Sequence, residues 1–141
     1  MNLTKTQRLE VRNRFGGCCS YCGNPLPDTG WHADHVLCVR RVSEVVLDSK
    51  GDRVVRYTGQ VERPQNETID NLFPACAPCN LLKSVYDLED FRTQIAMQVD
   101  RARKYSANFR TAERFGLIEV VTTSIVVFFF ERYFPAQNNE M

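Results

Sequence analysis

The stretch WHADHVLCVRR, residues 31–41, contains both histidines of the chain. His32 and His35 lie three positions apart, and Asp34 directly precedes His35. Imidazole accepts and releases protons near neutral pH because its unperturbed pKa is about 6.5. A carboxylate binds hard divalent cations through oxygen. The stretch is therefore a candidate site for proton transfer or for a metal ion. His32 stays unassigned, since packing is the ordinary role of a lone histidine.

Four of the six cysteines form two C-x-x-C pairs, Cys19 with Cys22 and Cys76 with Cys79. At this spacing two thiolates reach one ion from a tight turn, and two pairs complete the tetrahedral site that zinc prefers. We therefore predict a structural zinc on these four residues. The 53 residues between the pairs exceed the interval of a zinc ribbon, which indicates that a folded segment lies between them.

Two cysteines remain outside these pairs. Cys18 is an alternative to Cys19 at C-x-x-x-C spacing, although the shorter spacing is favoured, and Cys38 is expected to be a buried thiol. The alternatives for the paired cysteines are small buried side chains or a thioredoxin-like redox pair. The occurrence of two pairs in one short chain favours zinc over both.

The composition limits the class of protein. With 141 residues, 43% of them hydrophobic, the chain is long enough for one domain with a core and too short for two ordinary ones. A formal net charge of +1 does not mark the whole chain as a polyanion binder. The N-terminus lacks an apolar segment, and the apolar run at 125–130 is far shorter than the roughly 20 residues of a membrane span. We expect a soluble cytoplasmic protein with no membrane partner and with reduced thiols.

Local patterns predict the elements that position these residues. A helix over residues 4–15 begins at a Thr4 cap. A strand begins at Trp31, where side chains alternate between two faces. Residues 43–58 predict a β-hairpin, because two β-branched runs flank a Ser-Lys-Gly-Asp turn. A further helix is expected to begin near Cys79.

The second half of the chain predicts one long helix followed by two strands. Asp87 caps a helix with an apolar stripe that runs to Gly116, and at 1.5 Å per residue this helix would be about 42 Å long. A break near residues 106–108 is the alternative to a continuous helix. The stripe either packs on its own domain, which we favour, or pairs with a second copy in a homodimer. Residues 117–134 predict two strands around Thr122-Thr123, with apolar side chains in the core or at a dimer edge.

The order of these motifs resembles the HNH endonuclease family. The matching segments are CSYCG at 19–23, ADHV at 33–36 and NLFPACAPCNLLKS at 71–84. LEDFR at 88–92 and FFFER at 128–132 are similar to small phage and prophage members of the family.

The resemblance implies an α+β fold in a single domain over residues 1–141. In this fold, residues 1–86 form a ββα-metal, treble-clef-like core with a structural zinc. A hairpin is inserted into the core at about 40–66. Residues 87–141 add the long helix and the terminal strands.

The resemblance also implies a role for each motif residue. Asp34 and Asn80 resemble the protein ligands of a catalytic Mg²⁺ or Mn²⁺ ion. His35 resembles the general base, and Asn71 the residue that steadies the loop bearing the base. Lys83, one turn after Asn80, is expected to face the same groove and to contact a DNA phosphate.

Two arginines and two departures from the family pattern complete the sequence prediction. Arg40 and Arg41 follow the strand that carries the base, and they are candidates to hold phosphates; the alternative is a solvated loop. The hairpin occupies the place of a short Gly-rich loop. Ser84 stands where many members have glycine.

The function that the resemblance implies is a metal-dependent DNA endonuclease that leaves 5′-phosphate and 3′-hydroxyl ends. The implied partners are DNA and, from the phage setting of the family, a DNA-packaging machine. The alternative is a zinc-stabilised module that binds DNA or protein without catalysis, and a redox protein is a third hypothesis. The joint presence of Asp34, His35 and Asn80 favours the nuclease, because a binding module does not need all three.

Overall fold

The computed structural model describes residues 1–121 and 125–134, which form a mixture of helices and small sheets. The helices are α1 (Lys5–Asn13), α2 (Ala77–Lys83), α3 (Leu88–Ala96), α4 (Gln98–Tyr105), α5 (Ala107–Arg114) and α6 (Phe129–Arg132). The strands are β1 (His32–His35), β2 (Arg41–Leu47), β3 (Arg53–Val61) and β4 (Leu72–Ala75), and 3₁₀ turns cover Pro64–Asn66 and Ile69–Asn71. No helix in this described part of the chain is both long and apolar enough to cross a lipid bilayer.

The strand predicted from Trp31 is present as β1, which pairs antiparallel with β4. The register places Asp34 opposite Phe73 and His35 opposite Leu72. Asp34 is only 8% exposed, whereas His35 is half-buried. Since His35 is the last residue of β1, the chain leaves the sheet there, and both side chains reach the cleft described below.

Helix α1 begins as predicted at Thr4, whose hydroxyl accepts a hydrogen bond from a backbone N–H of the first turn at 3.2 Å. Arg8 of the helix and Arg14, which caps its C-terminus, fasten α1 to the sheet region. Arg8 lies over the ring of Trp31 at 4.1 Å and donates to the Trp31 carbonyl at 3.0 Å. Arg14 donates to the carbonyl of Leu72 at 2.7 Å. These two arginines therefore stabilise the packing of α1 against β1 and β4.

An aromatic cluster joins the first cysteine pair to the C-terminal segment. Phe128 is 1% exposed, stacks on Phe91 of α3 at 5.3 Å, and meets the ring of Tyr21 edge-on at 5.5 Å. The backbone N–H of Phe129 donates to the carbonyl of Tyr21 at 2.9 Å. Burial of such rings contributes strongly to a small core.

The hairpin predicted at 43–58 is present as β2 and β3, which turn at Gly51 with φ +83°. The Asp48 carboxylate accepts two backbone hydrogen bonds inside this turn. The two strands pair with each other and form a sheet separate from β1 and β4. At the base of the hairpin, the N–H of Glu62 donates to the carbonyl of Arg40 at 2.9 Å.

The single long helix predicted from Asp87 to Gly116 is wrong. Asp87 caps α3 as predicted, but the chain turns at Met97, with ψ −5°, and again at Ser106. Ser106 is extended and its hydroxyl accepts from the N–H of Phe109, which starts α5. Serine is a better N-cap than an interior helical residue. Because the helix is interrupted, the continuous stripe that would pair in a coiled coil does not form.

The terminal strands are also wrong within residues 117–121 and 125–134. The turn predicted at Thr122-Thr123 lies outside the described residues. Phe128 enters the aromatic cluster, and the Glu131 carboxylate accepts from the backbone N–H of Phe128 at 2.8 Å. This hydrogen bond caps the short helix α6, so the bulky residues pack as core without forming strands.

Substitution of Gly23, which follows the first cysteine pair, is a test of how the C-terminal segment packs. Its φ is +79°, and a Cβ there would lie 2.8 Å from a ring carbon of Phe129. Gly51 has a similar φ of +83° with open space around it. We expect Gly51→Ala to cost about 1 kcal/mol from backbone strain alone. Gly23→Ala is expected to cost a further 1–3 kcal/mol, roughly, from the clash.

The measurement is the free energy of unfolding of the zinc-loaded protein and both variants. Equal losses for the two substitutions would show that the Phe129 ring does not pack on Gly23.

Candidate metal centre and adjoining cleft

The four predicted zinc ligands meet at one point. The sulfur atoms of Cys19, Cys22, Cys76 and Cys79 all lie within 4.8 Å of one another, and the Cys22 and Cys76 sulfurs are 3.8 Å apart. Tetrahedral zinc with Zn–S bonds of about 2.3 Å sets its sulfurs about 3.8 Å apart. The thiols therefore lie close enough together, and in suitable number, to bind one metal ion such as zinc.

The pKa values of these thiols are shifted because the four groups lie close together. A hydrogen bond from Cys79 lowers the pKa of Cys19 to about 4, although burial opposes the shift. The same hydrogen bond, together with burial, raises the pKa of Cys79. Burial raises the pKa of Cys22 to about 11. Without a cation the thiols must share protons, and a divalent ion removes this need because it holds all four as thiolates.

The remaining cysteines lie outside this cluster. Cys19 contributes to it, so the alternative in which Cys18 replaces Cys19 is wrong. Cys38 is half-buried, less buried than expected, and its sulfur accepts a hydrogen bond from the N–H of Arg40 at 3.1 Å. Cys38 borders the cleft that adjoins the metal centre.

The cleft has a volume of about 490 Å³ and lies between the end of β1, helix α2 and the base of the hairpin. It brings together Asp34, His35 and Asn80, which the sequence places 46 positions apart at the extremes. Asn80 reaches it because α2 begins at the second cysteine pair and Asn80 directly follows Cys79. The three residues predicted to form one site thus line one cavity.

The carboxylate of Asp34 is held through one oxygen. The Tyr21 hydroxyl donates to Oδ2, and the Lys83 ammonium lies 3.1 Å from the same atom. Burial, with the adjacent Asp34 carboxylate, raises the pKa of Tyr21 far above its usual range, so the phenol stays protonated and donates. Because both contacts use Oδ2, Oδ1 is left for a further ligand from the cleft.

The predicted contact of Lys83 with a DNA phosphate is wrong. Lys83 is 0% exposed, and besides its ion pair with Asp34 it donates to the carbonyl of His35 at 2.9 Å. A buried ammonium requires such partners because its desolvation is costly. Lys83 therefore holds Asp34 and the backbone of His35 together from beneath the cleft.

His35 is poised as a neutral imidazole. Burial lowers its pKa below the ordinary value, against the opposing effect of Asp34. Its Nε2 is buried and has no hydrogen-bond partner among the described residues. Since Nε2 is shielded from solvent, Nδ1 is the ring nitrogen left for a further ligand, and His35 borders both this cleft and the cavity lined by His32.

Asn71 fixes the chain just beyond His35. Its side chain accepts from the N–H of Leu37 at 2.9 Å and donates to the Leu37 carbonyl at 2.8 Å and to the Asn66 carbonyl at 2.7 Å. Its own carbonyl accepts from the N–H of Val36. The side chain therefore clamps the loop that follows the histidine.

Two arginines and one histidine complete the surroundings. Arg40 and Arg41 are exposed and line the cleft, with Arg40 3.7 Å from Glu62 in a loose ion pair. Their contact with phosphates stays a prediction. His32 is exposed and lines a different cavity of about 660 Å³, which His35 also borders.

Ser84, at the end of α2, occupies a backbone conformation suited to glycine. Its φ is +48° and its ψ is −120°, a region that side chains rarely adopt. The departure from glycine at this position therefore carries strain, and Ser84 lines the cleft.

Two site residues were missed by the sequence analysis. Tyr21 lies inside the first C-x-x-C pair, and nothing in its spacing pointed to Asp34. Tyr57 of β3 borders the cleft from the inserted hairpin, as an exposed aromatic side chain. Its place in a β-branched run offered no signal beyond strand formation.

No protein-family model, no curated protein and no solved structure matches this chain. The resemblance noted in the sequence therefore rests on the motif residues. Chemically, the cleft offers a carboxylate oxygen, an amide group and a neutral imidazole within reach of one small ligand.

The metal centre is tested by matched serine variants of the adjacent Cys18 and Cys19. We expect the chain to bind one equivalent of Zn²⁺, or of Co²⁺ with the visible absorption of tetrahedral thiolate ligation. Cys19→Ser removes one of the four ligands and is expected to weaken binding by at least about 100-fold, whereas Cys18→Ser leaves it unchanged. Competition with a chelator measures both affinities. Weaker zinc binding by Cys18→Ser, with the zinc affinity of Cys19→Ser unchanged, would contradict the assigned ligand set.

The buried ion pair is tested by a double-mutant cycle. Lys83→Met leaves the buried Asp34 carboxylate without its cation, and we expect a loss of about 3–5 kcal/mol in the free energy of unfolding. Asp34→Asn in the same chain removes the unpaired charge, so the double variant is expected to recover much of that loss. Chemical denaturation of the zinc-loaded proteins measures the coupling. Strictly additive losses would show that the two side chains do not interact.

Proposed function

We propose that this protein is a metal-dependent endonuclease of the HNH type that hydrolyses phosphodiester bonds in DNA. The observation that carries the proposal is the meeting of Asp34, His35 and Asn80 in one cleft, beside a four-cysteine cluster. In this proposal β1, β4 and α2 constitute the ββα core within residues 1–86, and the hairpin is an insertion into it.

The donors present fit a hard divalent cation. Asp34 offers Oδ1 and Asn80 its amide oxygen, and oxygen ligands favour Mg²⁺ or Mn²⁺ over zinc. When bound, such an ion supplies Lewis-acid stabilisation of the charge on the departing oxygen. The Oδ2 contacts to Tyr21 and Lys83 fix the rotamer of Asp34, so its free oxygen has a defined direction.

His35 supplies the general base. In this proposal the neutral imidazole carries its proton on Nε2, which is buried, and Nδ1 is the atom that accepts a proton from water. Nδ1 accepts a proton from the water as its oxygen bonds to phosphorus, and the bond from phosphorus to the 3′ oxygen breaks. The products are a 5′-phosphate and, after protonation from solvent, a 3′-hydroxyl.

The backbone that carries the base is held at His35 and just beyond it. Lys83 binds the carbonyl of His35, and Asn71 binds both backbone groups of Leu37. Positioning of this kind contributes to catalysis because a small displacement of a base reduces the rate steeply. Arg40 and Arg41 line the edge of the cleft, and in this proposal they hold the phosphates that flank the cut.

One observation favours a second candidate, a zinc-stabilised module that binds DNA or protein without catalysis. The Lys83 ammonium lies 3.1 Å from Asp34 Oδ2, and a positive charge at that distance opposes the binding of a second cation. In this alternative the ion pair is a structural substitute for the catalytic ion.

The test is cleavage of supercoiled plasmid by zinc-loaded protein with Mg²⁺ or Mn²⁺, compared with His35→Ala and His32→Ala. We expect nicked or linear product from the wild type and from His32→Ala, because His32 lies outside the cleft. His35→Ala is expected to be at least about 100-fold slower, since it lacks the base. EDTA, added briefly, removes the catalytic ion and is expected to stop cleavage.

The outcomes separate the two candidates. Equal cleavage by His35→Ala and wild type would exclude His35 as the base. A wild type that retains its zinc and shifts DNA in a gel, but cuts under neither metal, would establish the binding module instead.

A further inference from the structure

The β2–β3 hairpin projects from the body of the protein. Its strands form a sheet of their own, and every residue from Leu47 to Gln60 is exposed. An isolated two-stranded hairpin is only marginally stable in water. A nine-residue strand such as β3 therefore needs a covering surface if it is to keep its form.

The strand register collects the apolar side chains on one face. The cross-strand pairs Val45 with Val55, Ser43 with Tyr57 and Leu47 with Arg53 project to the same side. We call the four apolar members, Val45, Leu47, Val55 and Tyr57, the Val45 face. Each of these four side chains is about two-thirds exposed, at 65%, 67%, 68% and 66% respectively. Contiguous exposed apolar surface of this kind marks an interaction site.

The opposite face of the hairpin is different. There Arg56 donates to the Glu44 carboxylate at 2.6 Å, and Val54 is 39% exposed. Charges on the hairpin are nearly balanced, because Arg40, Arg41, Lys50, Arg53 and Arg56 are offset by Glu44, Asp48, Asp52 and Glu62. Arg53 lies at one end of the Val45 face, beside Leu47, and the centre of the face is apolar. An apolar centre on a nearly neutral hairpin is poorly suited to a polyanion and well suited to another protein surface.

We propose that the Val45 face is the interface of a homodimer, in which it packs against the same face of a second copy. In a twofold interface the same surface patch of both copies meets, so that patch must be complementary to itself. An apolar patch meets this requirement because it needs no opposite charge on its partner. This partner differs from the long-helix homodimer considered from the sequence, because the contact is made by the hairpin.

The exposed apolar area of the Val45 face is close to what a dimer interface requires. Four side chains that each expose roughly 100 Å² provide roughly 400 Å² per copy and roughly 800 Å² in a pair. An interface of standard size buries about 1,600 Å², of which about 57%, or roughly 900 Å², is non-polar. The Val45 face thus supplies most of the apolar centre of an ordinary dimer, and polar residues around it supply the rim.

The hairpin offers a matched pair of variants. Val55→Lys places a charge in the centre of the Val45 face, and Val54→Lys makes the same change one residue away on the opposite face. Sedimentation of the full-length, zinc-loaded proteins measures the monomer–dimer equilibrium. We expect the wild type and Val54→Lys to dimerise and Val55→Lys to be monomeric, with Kd raised at least about 100-fold. Leu47→Lys is a second variant of the same face, and equal zinc content shows that each protein is folded.

A wild type that stays monomeric up to about 100 µM overturns the inference. So does a dimer that Val54→Lys and Val55→Lys weaken equally, because the contact would then lie elsewhere. If the wild type is monomeric and Val55→Lys alters DNA binding while Val54→Lys does not, the face meets DNA, and the second copy is excluded as its occupant. None of these outcomes depends on the proposed nuclease activity.

Discussion

The gathering of four thiols from two distant segments is the constraint on which the rest of the structure depends. The described core is small, with Phe91, Phe128 and Trp31 among its largest apolar members. A core of this size stabilises a short chain only marginally, and a bound metal ion adds folding free energy directly. Residues 19–22 and 76–79 are joined at the cluster, so the chain between them closes into a loop whose ends cannot drift.

The cluster also determines the adjoining cleft, because both cysteine pairs carry site residues within or beside them. Tyr21 lies between Cys19 and Cys22 and reaches Asp34, while Asn80 follows Cys79. Lys83, one turn further along α2, completes the support of Asp34 and of the His35 backbone. The cysteine cluster and the cleft are therefore connected, because Tyr21 and Lys83 join the two cysteine segments to Asp34, and Lys83 also binds the backbone of His35.

Local signals predicted much of this architecture, and long-range packing explains what they did not predict. The Thr4 cap, β1 and the hairpin each follow from nearby residues, as does the ligand set from cysteine spacing. The burial of Lys83 depends on Asp34, 49 positions away, which no local pattern reveals. The terminal strands were predicted from a run of bulky apolar residues, but Phe128 packs in the aromatic cluster against Phe91 and Tyr21, contacts that a local pattern does not reveal. The break at Ser106 was visible as an alternative, because serine caps helices well.

The base of the hairpin has an evolutionary consequence. Arg40 and Glu62 are joined by a backbone hydrogen bond of 2.9 Å, so the segment between them leaves and re-enters the body at nearly the same point. Replacement of this segment by a shorter or longer one would change the loop-closure entropy only slightly. It would leave the pairing of β1 with β4 intact. A change in the length or sequence of this segment is thereby separable from a change in β1, which carries Asp34 and His35.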